Sequence, residues 1–597
     1  MQDVHDGVTG PEEAEEGAGR SSSSSRTWGT VASERAARAV YLAVGAVTIG
    51  LIFWKLQFSN SSICCGDFDG YYHIKWSRLL WENMRGGHLL PPVFKWLPLT
   101  TLNPKDYVDH HLLFHILQIP FTWFGDLRMG AKVAATVFAS LAVFSCYWLI
   151  VRYRISYTLV WLVAMLACSA PFLYRLSMAK APPLSIVFMV AGIYLLFERR
   201  YRWLAPLAFL YVWTYSLFVT LGAAALIWTV VLGWSERRFE WRPLVWTGLG
   251  IVAGFLINPY FPKNVALFLE HLWIKVRLGD FSTSVGSEWY PYESWFFLGS
   301  CLVAFAAMLV GYIAFDWSDR RRAARPLFFL VFSTLLMIAS FRSRRFVEYW
   351  PPFAVLFAAF TLQAIFDGAR SAARRLPEDV LDELRPFLDR HERAAANDRQ
   401  RHREYWQTGA AAFVALLLGV VLVVNVTETV KTIGGESGPD RYRGGMRWIS
   451  EHAPEGQMVF NTDCDDFPKM FFYDTAHTYA SGLDPTYLLD KNPELSKLYD
   501  DITLGRVKDA GPIIRDRFGA RYVFSDNEDV HNDFYFNAKE SGWFDIVYED
   551  DECTVLHIRD QKGTALPDDD DGDDNQGSED DETDDGDGGQ QVQGNGQ

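Results

Sequence analysis

The chain has 597 residues, a formal net charge of −16 and 49% apolar residues, among them 22 Trp and 43 Phe. The apolar residues gather in long runs before residue 430, which excludes a soluble protein with a single core. Thirteen Asp or Glu and no Lys or Arg lie between Asp568 and Asp587, so most of the negative charge belongs to one tail. We expect residues 566–597 to be disordered, and we expect no nucleic-acid partner.

The N-terminal part of the chain is typical of a polytopic α-helical membrane protein. Residues 1–35 are polar and Ser-rich, and we expect a disordered cytoplasmic lead. The transmembrane domain is predicted to cover residues 36–428 with about eleven spans. The predicted spans are 36–58, 131–151, 157–173, 183–197, 203–218, 219–234, 243–260, 294–315, 326–341, 347–366 and 408–428, and 112–124 is expected to be a re-entrant or interfacial helix.

The distribution of Lys and Arg predicts the orientation. It places the N-terminus and a charged linker, 367–407, on the cytoplasmic side of the plasma membrane. The loops 59–130, 174–182 and 261–293 then lie outside, together with everything after residue 428.

Residues 429–565 predict a small extracytoplasmic α/β domain. A helix is expected over Asp440–His452 and strands over Gln457–Asn461 and Arg521–Ser525. Phe544–Glu549 and Cys553–Ile558 are expected to form a terminal hairpin. A disulfide between Cys464 and Cys553 is possible in an oxidising compartment, and the sequence leaves this open.

The first external loop contains two groups of ionisable residues. In Asp67-Phe68-Asp69 the carboxylates are on alternate residues, so they suit either one divalent cation or a turn that caps a helix. In Asp109-His110-His111 and His115, the last two histidines are one helical turn apart. They suit either a shared metal or the cap of an interfacial helix.

Two later segments are also unusual for external loops. The stretch Ser282–Glu293 is long, polar and aromatic, as expected of a mobile substrate loop or of an ordinary surface loop. Arg342, Arg344 and Arg345 form a basic cluster on the side that is usually poor in Arg. Binding of a lipid phosphate would explain the cluster, as would headgroup contact or pairing with Glu348.

Three motifs resemble those of the catalytic subunit of oligosaccharyltransferase and of related C-type glycosyltransferases. Asp69-Gly70-Tyr71-Tyr72-His73 is similar to the first-loop motif, which implies that Asp69 is a metal ligand at the catalytic centre. Ser284–Glu288 resembles the Ser/Thr-Val/Ile-x-Glu motif with one residue inserted, which implies a catalytic role for Glu288. Arg345-Phe346 is similar to the pair whose Arg contacts the lipid phosphate.

The chain also departs from that family. The 174–182 loop has no carboxylate, and the Trp-Trp-Asp-Tyr-Gly motif is missing. In its place are Asn461–Pro468 and Gly482–Pro485, which resemble motifs of bacterial membrane glycosyltransferases whose outer domain faces the active site. If Mg²⁺ or Mn²⁺ is used, Asp109, His110 or His111 could replace the missing ligand; alternatively, Lys180 and Arg175 could supply positive charge without a metal.

The resemblance implies a membrane glycosyltransferase that transfers a sugar from a polyprenyl-phosphate donor to a glycan, lipid or protein acceptor outside the cell. Asp69, supported by Asp67, would be base or metal ligand, and Glu288 would orient the acceptor. Arg342, Arg344 and Arg345 would hold the phosphate. Substrate contacts are expected from Tyr71, Tyr72, His73, Trp289, Asp465 and Asp466. The alternatives are an oligosaccharyltransferase that glycosylates protein, and a non-catalytic transporter or lipid-binding scaffold.

Overall fold

The computed structural model of the chain describes residues 21–63, 68–276, 287–373, 390–435 and 437–565. Several predicted features lie outside these ranges. They are the first twenty residues, Asp67, the Ser284–Gly286 part of the Glu288 motif and the acidic tail after residue 565.

The N-terminal part is built almost entirely from helices around one apolar core. That core gathers residues from helices far apart in the chain, including Phe53, Tyr147, Phe329 and Trp350. The α-helices are Ser21–Gln57, Asp69–Arg85, Leu112–Gln118, Leu127–Arg152, Thr158–Leu166, Ala170–Leu176, Pro182–Phe197, Leu204–Thr214, Val219–Glu236, Arg242–Leu256, Lys263–Val276, Ser294–Ser300, Leu302–Ile313, Arg320–Arg342, Trp350–Ala373 and Arg390–Gly434.

Long apolar helices support a membrane location. Over the described residues, five helices are long and apolar enough to cross a bilayer, or seven if two sharply bent pairs each count as one span. The bends, of 77° and 75°, separate Thr158–Leu166 from Ala170–Leu176 and Ser294–Ser300 from Leu302–Ile313. The predicted break between 203–218 and 219–234 occurs at Tyr215, whose extended backbone ends one helix.

The structure differs from the prediction at three boundaries. The first helix begins at Ser21 rather than near residue 36, since an apolar span fixes a helix that Ala, Arg and Glu then propagate. Helices also extend into the predicted linker from both sides, to Ala373 and from Arg390. The segment 261–293, predicted to be an external loop, contains the amphipathic helix Lys263–Val276.

The C-terminal domain is an α/β domain with a five-stranded sheet. Its strands are β1 (Met458–Asn461), β2 (Thr478–Tyr479), β3 (Ala520–Asp526), β4 (Phe544–Glu549) and β5 (Cys553–Ile558), in the order β2-β1-β3-β5-β4. β1 pairs in parallel with β2 and β3, while β5 runs antiparallel to β3 and β4. The α-helices of this domain are Arg443–His452, Phe467–Tyr473, Thr486–Lys491, Pro493–Thr503, Ala510–Ile513 and Asn532–Ser541.

The strands match the sequence pattern closely. The β4–β5 hairpin has the predicted ends, and β3 begins directly after Gly519, whose φ of +74° ends the preceding turn. The predicted helix over Asp440–His452 begins later, at Arg443. Cys464 and Cys553 are both free thiols in the structure, so the disulfide left open by the sequence is not formed.

The C-terminal domain packs directly on the 59–130 segment, which was predicted to be the first external loop. Trp96 and Phe94 contact the ring of Phe471 with centroid distances of 4.9 and 6.1 Å. The backbone N–H of Tyr479 donates to the carbonyl of Trp96 at 2.8 Å, and Thr101 N–H donates to Tyr487 O at 3.0 Å. The shared apolar core and these hydrogen bonds fix the domain over the helix that begins at Asp69.

Candidate active site

A cavity of about 310 Å³ lies where the helical part of the chain meets the C-terminal domain. One wall comes from the first external loop and the start of the Asp69–Arg85 helix. A second wall comes from the break between two helices at Tyr215 and from the segments around Glu288 and Arg345. The C-terminal domain closes the cavity with Leu483, Asp484 and Tyr487. Asp69, Glu288 and Arg345, which are far apart in sequence, therefore line one space.

Asp69 is the first residue of its helix and carries a side-chain partner. Its Oδ2 lies 3.0 Å from the Nζ of Lys180. This contact depends on Gly70, because a Cβ there would lie 2.8 Å from Ile63 and 2.9 Å from Ala179. Glycine thus permits the close approach that brings the 174–182 loop, and with it Lys180, to the carboxylate.

Glu288 is held between two guanidinium groups. Its Oε2 accepts a hydrogen bond from Arg175 at 2.9 Å, and its Oε1 lies 2.9 Å from Arg345. Arg175 also donates to Glu348 at 2.7 Å, and Glu348 is only 1% exposed. Burial raises the pKa of Glu288, but the charges of Arg345, Lys180 and Arg175 outweigh it and hold that pKa well below its ordinary range. Glu288 is therefore ionised.

The three arginines of the basic cluster have different surroundings. Arg345 lines the cavity, and its guanidinium lies over the ring of Trp289 at 4.8 Å. Its Nε is buried without a hydrogen-bond partner among the described residues. Arg344 instead donates to the carbonyl of Pro291 and lies over Tyr292, and Arg342 is exposed at a helix end. Only Arg345 combines a place in the cavity with a free donor.

Buried side chains form a hydrogen-bonded relay behind Asp69. Asp109 accepts from Trp76 Nε1 at 2.9 Å and lies 2.8 Å from His115 Nδ1. His115 Nε2 lies 2.8 Å from His73 Nδ1. If Asp109 is ionised, each histidine donates through Nδ1, which leaves Nε2 of His73 as an acceptor. Burial, and then the proximity of His115, hold the pKa of His73 well below its ordinary value, so His73 is neutral near pH 7.

The remaining predicted substrate residues divide into two groups. Tyr72, His73 and Trp289 line the cavity, as does His110, which was predicted as a metal ligand. Tyr71 is buried beside it, with its hydroxyl 2.7 Å from that of Ser62, while Asp465 and Asp466 follow β1 away from the cavity wall.

The described residues around Asp69 do not fit a bound divalent metal. Asp109 is engaged by Trp76 and His115, and His111 stacks on Tyr215 with a centroid distance of 5.4 Å. His111 and His115 do not share a metal, because both ring nitrogens of His115 already have partners. Within the described ranges, the groups that bring three potential metal ligands together all lie in the C-terminal domain. At Asp69 the positive charge comes from Lys180.

Sequence reasoning did not single out several cavity residues. Tyr215 lies within the predicted span 203–218, and Tyr487 belongs to no recognisable motif. Asp484 belongs to the Gly482–Pro485 segment, whose resemblance to other membrane enzymes was the one signal for it.

Comparison with known proteins gives a likeness in fold. No protein-family model and no curated protein sequence matches the chain. The oligosaccharyltransferase AglB from Archaeoglobus fulgidus, solved with an inhibitory peptide and a dolichol-phosphate, superposes with a TM-score of 0.53 at 13% identity, over 84% of this chain and 72% of AglB. An oligosaccharyltransferase structure from the same organism, tethered to an acceptor peptide with the NVT sequon, gives 0.53 at 12% identity, over 87% and 74%.

A bacterial structure shows the same likeness. ArnT from Cupriavidus metallidurans, bound to undecaprenyl phosphate, superposes with a TM-score of 0.52 at 15% identity, over 86% of this chain and 97% of ArnT. The resemblance to the C-type glycosyltransferases is thereby confirmed at the level of fold, which does not by itself fix the activity.

Proposed function

We propose that this protein is a membrane glycosyltransferase that transfers a sugar from a polyprenyl-phosphate donor. The observation that carries the proposal is the single cavity lined by Asp69, Glu288 and Arg345, at the junction of apolar helices and an α/β domain. The fold shared with AglB and ArnT, whose structures contain dolichol-phosphate and undecaprenyl phosphate, supports the donor class.

The cavity supplies both charges that the reaction needs. An acceptor hydroxyl or amide attacks C1 of the sugar while the bond from C1 to the phosphate oxygen breaks. The acceptor's proton passes to the carboxylate of Asp69, and Glu288 orients the acceptor. The leaving polyprenyl phosphate gains negative charge, which Arg345 offsets through its free Nε and its fixed guanidinium plane.

Positive charge in this proposal comes from side chains. Lys180 places a positive charge 3.0 Å from the carboxylate of Asp69, and Arg175 and Arg345 each hold one oxygen of Glu288. His73 lines the same cavity, and its hydrogen bond to His115, which in turn pairs with Asp109, fixes the position of its ring. No step requires a metal ion at Asp69.

The membrane layout of the proposal follows the positive-inside rule. An arrangement of eleven spans with a cytoplasmic N-terminus places the cavity and residues 429–565 on the extracytoplasmic face. The break between helices at Tyr215, which lines the cavity, would then lie near the outer bilayer surface. The lipid tail of the donor would enter the cavity there from the membrane.

For the acceptor, protein is the second candidate. The fold shared with an oligosaccharyltransferase bound to an NVT-sequon peptide favours it. The missing Trp-Trp-Asp-Tyr-Gly motif favours a glycan or lipid acceptor instead.

The test uses the purified full-length protein with a panel of polyprenyl-phosphate sugars. Each donor is offered with a lipid acceptor, a glycan acceptor or a peptide containing Asn-x-Thr, and release of polyprenyl phosphate is measured. Asp69→Asn is expected to slow turnover by about 10²- to 10⁴-fold, the usual contribution of a general base. Asp106→Asn is the matched control, because Asp106 lies in the same loop but is exposed and paired with Lys491.

The outcomes separate the candidates. Transfer to the peptide would favour the oligosaccharyltransferase, and transfer to the lipid or glycan would favour the proposal as stated. Equal turnover by Asp69→Asn and wild type would remove Asp69 from the mechanism, and absence of release with every donor would contradict a glycosyltransferase.

A further inference from the structure

A second group of ionisable side chains lies in the C-terminal domain, apart from the cavity wall. Asp463 is two residues beyond the end of β1, and Asp526 is the last residue of β3. β1 and β3 are parallel neighbours, so their carboxyl ends meet at one edge of the sheet. His531, which ends a short turn after β3, completes the group. Ligands of α/β sheets commonly bind at this edge.

These three side chains are close enough to share one ion. A ligand atom from each of Asp463, Asp526 and His531 lies within 4.8 Å of the others. Asp526 and His531 are 3% and 5% exposed, and His531 Nδ1 is 2.5 Å from Asp526 Oδ1. The group is therefore built into the interior rather than spread over the surface.

Two buried carboxylate oxygens next to this group have no partner. Among the described residues, neither Oδ2 of Asp526 nor Oδ2 of Asp466 has a hydrogen bond, although both side chains are only 3% exposed. A buried carboxylate oxygen without a hydrogen-bond partner is unfavourable, because it has lost its contacts with water and has gained none in their place. Such oxygens are expected where a cation supplies the missing contact.

This group contains more acidic than basic side chains. His531 faces two carboxylates, those of Asp463 and Asp526. Arg441 is already paired with Glu528 at 2.8 Å. The negative charges of Asp526 and Asp463 act on Asp466, and a hydrogen bond from Tyr442 and the charge of Arg441 offset them only in part. This repulsion is what a bound cation would relieve.

We propose that Asp463, Asp526 and His531 bind one divalent cation, with Asp466 as an additional negative group beside it. The donor set mixes carboxylate oxygens with an imidazole nitrogen. That mixture suits Mn²⁺ or Zn²⁺ better than Ca²⁺, whose sites are built from oxygen ligands alone. The cation replaces the proton shared between His531 Nδ1 and Asp526.

The site is connected to the cavity through two loops. Leu483 N–H donates to the carbonyl of Cys464 at 3.2 Å, and the amide of Asn461 donates to Ser481 O at 3.0 Å. Leu483 and its neighbour Asp484 line the cavity. A cation at Asp463 therefore stabilises the loop that closes the cavity, and it does so whether or not the proposed transfer reaction is correct.

The experiment measures Mn²⁺ binding to the full-length protein. Protein stripped with a chelator and desalted is titrated with Mn²⁺, and free Mn²⁺ is followed by electron paramagnetic resonance. Wild type is expected to bind about one equivalent, and Zn²⁺ is expected to displace it. Asp526→Asn and His531→Gln should each weaken binding at least about tenfold, whereas Asp529→Asn, an exposed carboxylate three residues away, should bind like wild type.

A further variant separates this site from the cavity. Asp69→Asn should retain the full equivalent of Mn²⁺, because Asp69 belongs to neither loop. Should Asp526→Asn fold poorly, wild type alone still gives a test, since chelation should lower its unfolding temperature and Mn²⁺ should restore it. The proposal is overturned if stripped wild type binds no Mn²⁺, if His531→Gln and Asp526→Asn bind it normally, or if binding is lost in Asp69→Asn.

Discussion

Arg345 offers the sharpest test of how the cavity recognises its donor. Its guanidinium contacts Glu288 at 2.9 Å and lies 4.8 Å from the Trp289 ring centroid, while its buried Nε has no partner among the described residues. The perturbation is Arg345→Met, which keeps much of the side-chain volume and removes the charge. Glu288 keeps Arg175 as a partner at 2.9 Å, so we expect the variant to fold.

The expected magnitude follows from the hydrogen bonds that are lost. A hydrogen bond to a charged group contributes about 1.5–3 kcal/mol, and each 1.4 kcal/mol corresponds to about tenfold in affinity. Arg345→Met should therefore weaken binding of a polyprenyl phosphate by about 10- to 150-fold. Arg345→Lys should have an intermediate effect, because an ammonium group keeps the charge but loses the planar fork.

The assay is direct binding of undecaprenyl phosphate to the detergent-solubilised protein, which requires no knowledge of the sugar or the acceptor. Arg344→Met is the matched control, since Arg344 points toward Pro291 and Tyr292. We expect this control to change affinity by less than about threefold, because Arg344 does not line the cavity and its partners lie elsewhere. Unchanged binding by Arg345→Met, or an equal loss in Arg344→Met, would refute the assignment of Arg345 to the phosphate.

Three further predictions concern the surroundings of the cavity. Glu348→Gln should destabilise the protein by about 3–5 kcal/mol, because it removes one of the two carboxylates paired with buried Arg175. The unfolding temperature measures this loss, and the control Glu428→Gln, in an exposed pair with Lys431, should cost less than about 1 kcal/mol. His115→Phe should lower kcat by about 100-fold with a smaller change in KM, because it interrupts the relay between Asp109 and His73; an unchanged kcat would show that the relay is only structural. Burial, and then the charge of His110, lower the pKa of His111, so below about pH 6.5 the unfolded state binds a proton that the native state does not, and the protein becomes less stable as the pH decreases. Wild type should therefore lose more stability than His111→Gln when the pH is lowered from 7.5 to 5, and equal losses in the two proteins would contradict this.

Local patterns in the sequence were enough for much of the architecture. Two short segments on either side of Asp550-Asp551-Glu552 predicted the β4–β5 hairpin with its observed ends, and long apolar runs predicted the apolar helices. Such signals are local, because they depend on residues a few positions apart in one element. Boundaries were less accurate where polar residues continue a helix, as at Ser21 and Arg390.

Short motifs also predicted the candidate residues of the site, but the sequence did not decide which side chains pair with them. Asp69, Glu288 and Arg345 were singled out from motifs, and the structure brings all three to one cavity. Whether Asp69 works with a metal or with Lys180 was open in the sequence, and the close approach at Gly70 favours Lys180.

The sequence by itself determined a polytopic helical protein with an α/β domain, and its motifs identified Asp69, Glu288 and Arg345 as candidate site residues. Only the tertiary structure decided which charges meet. Arg175 finds Glu288 and Glu348 at separations of 113 and 173 residues, and Asp463 meets Asp526 because β1 and β3 are parallel neighbours. The physical reason is that helix and strand formation follow local periodicity, whereas the pairing of buried charges depends on which elements pack together.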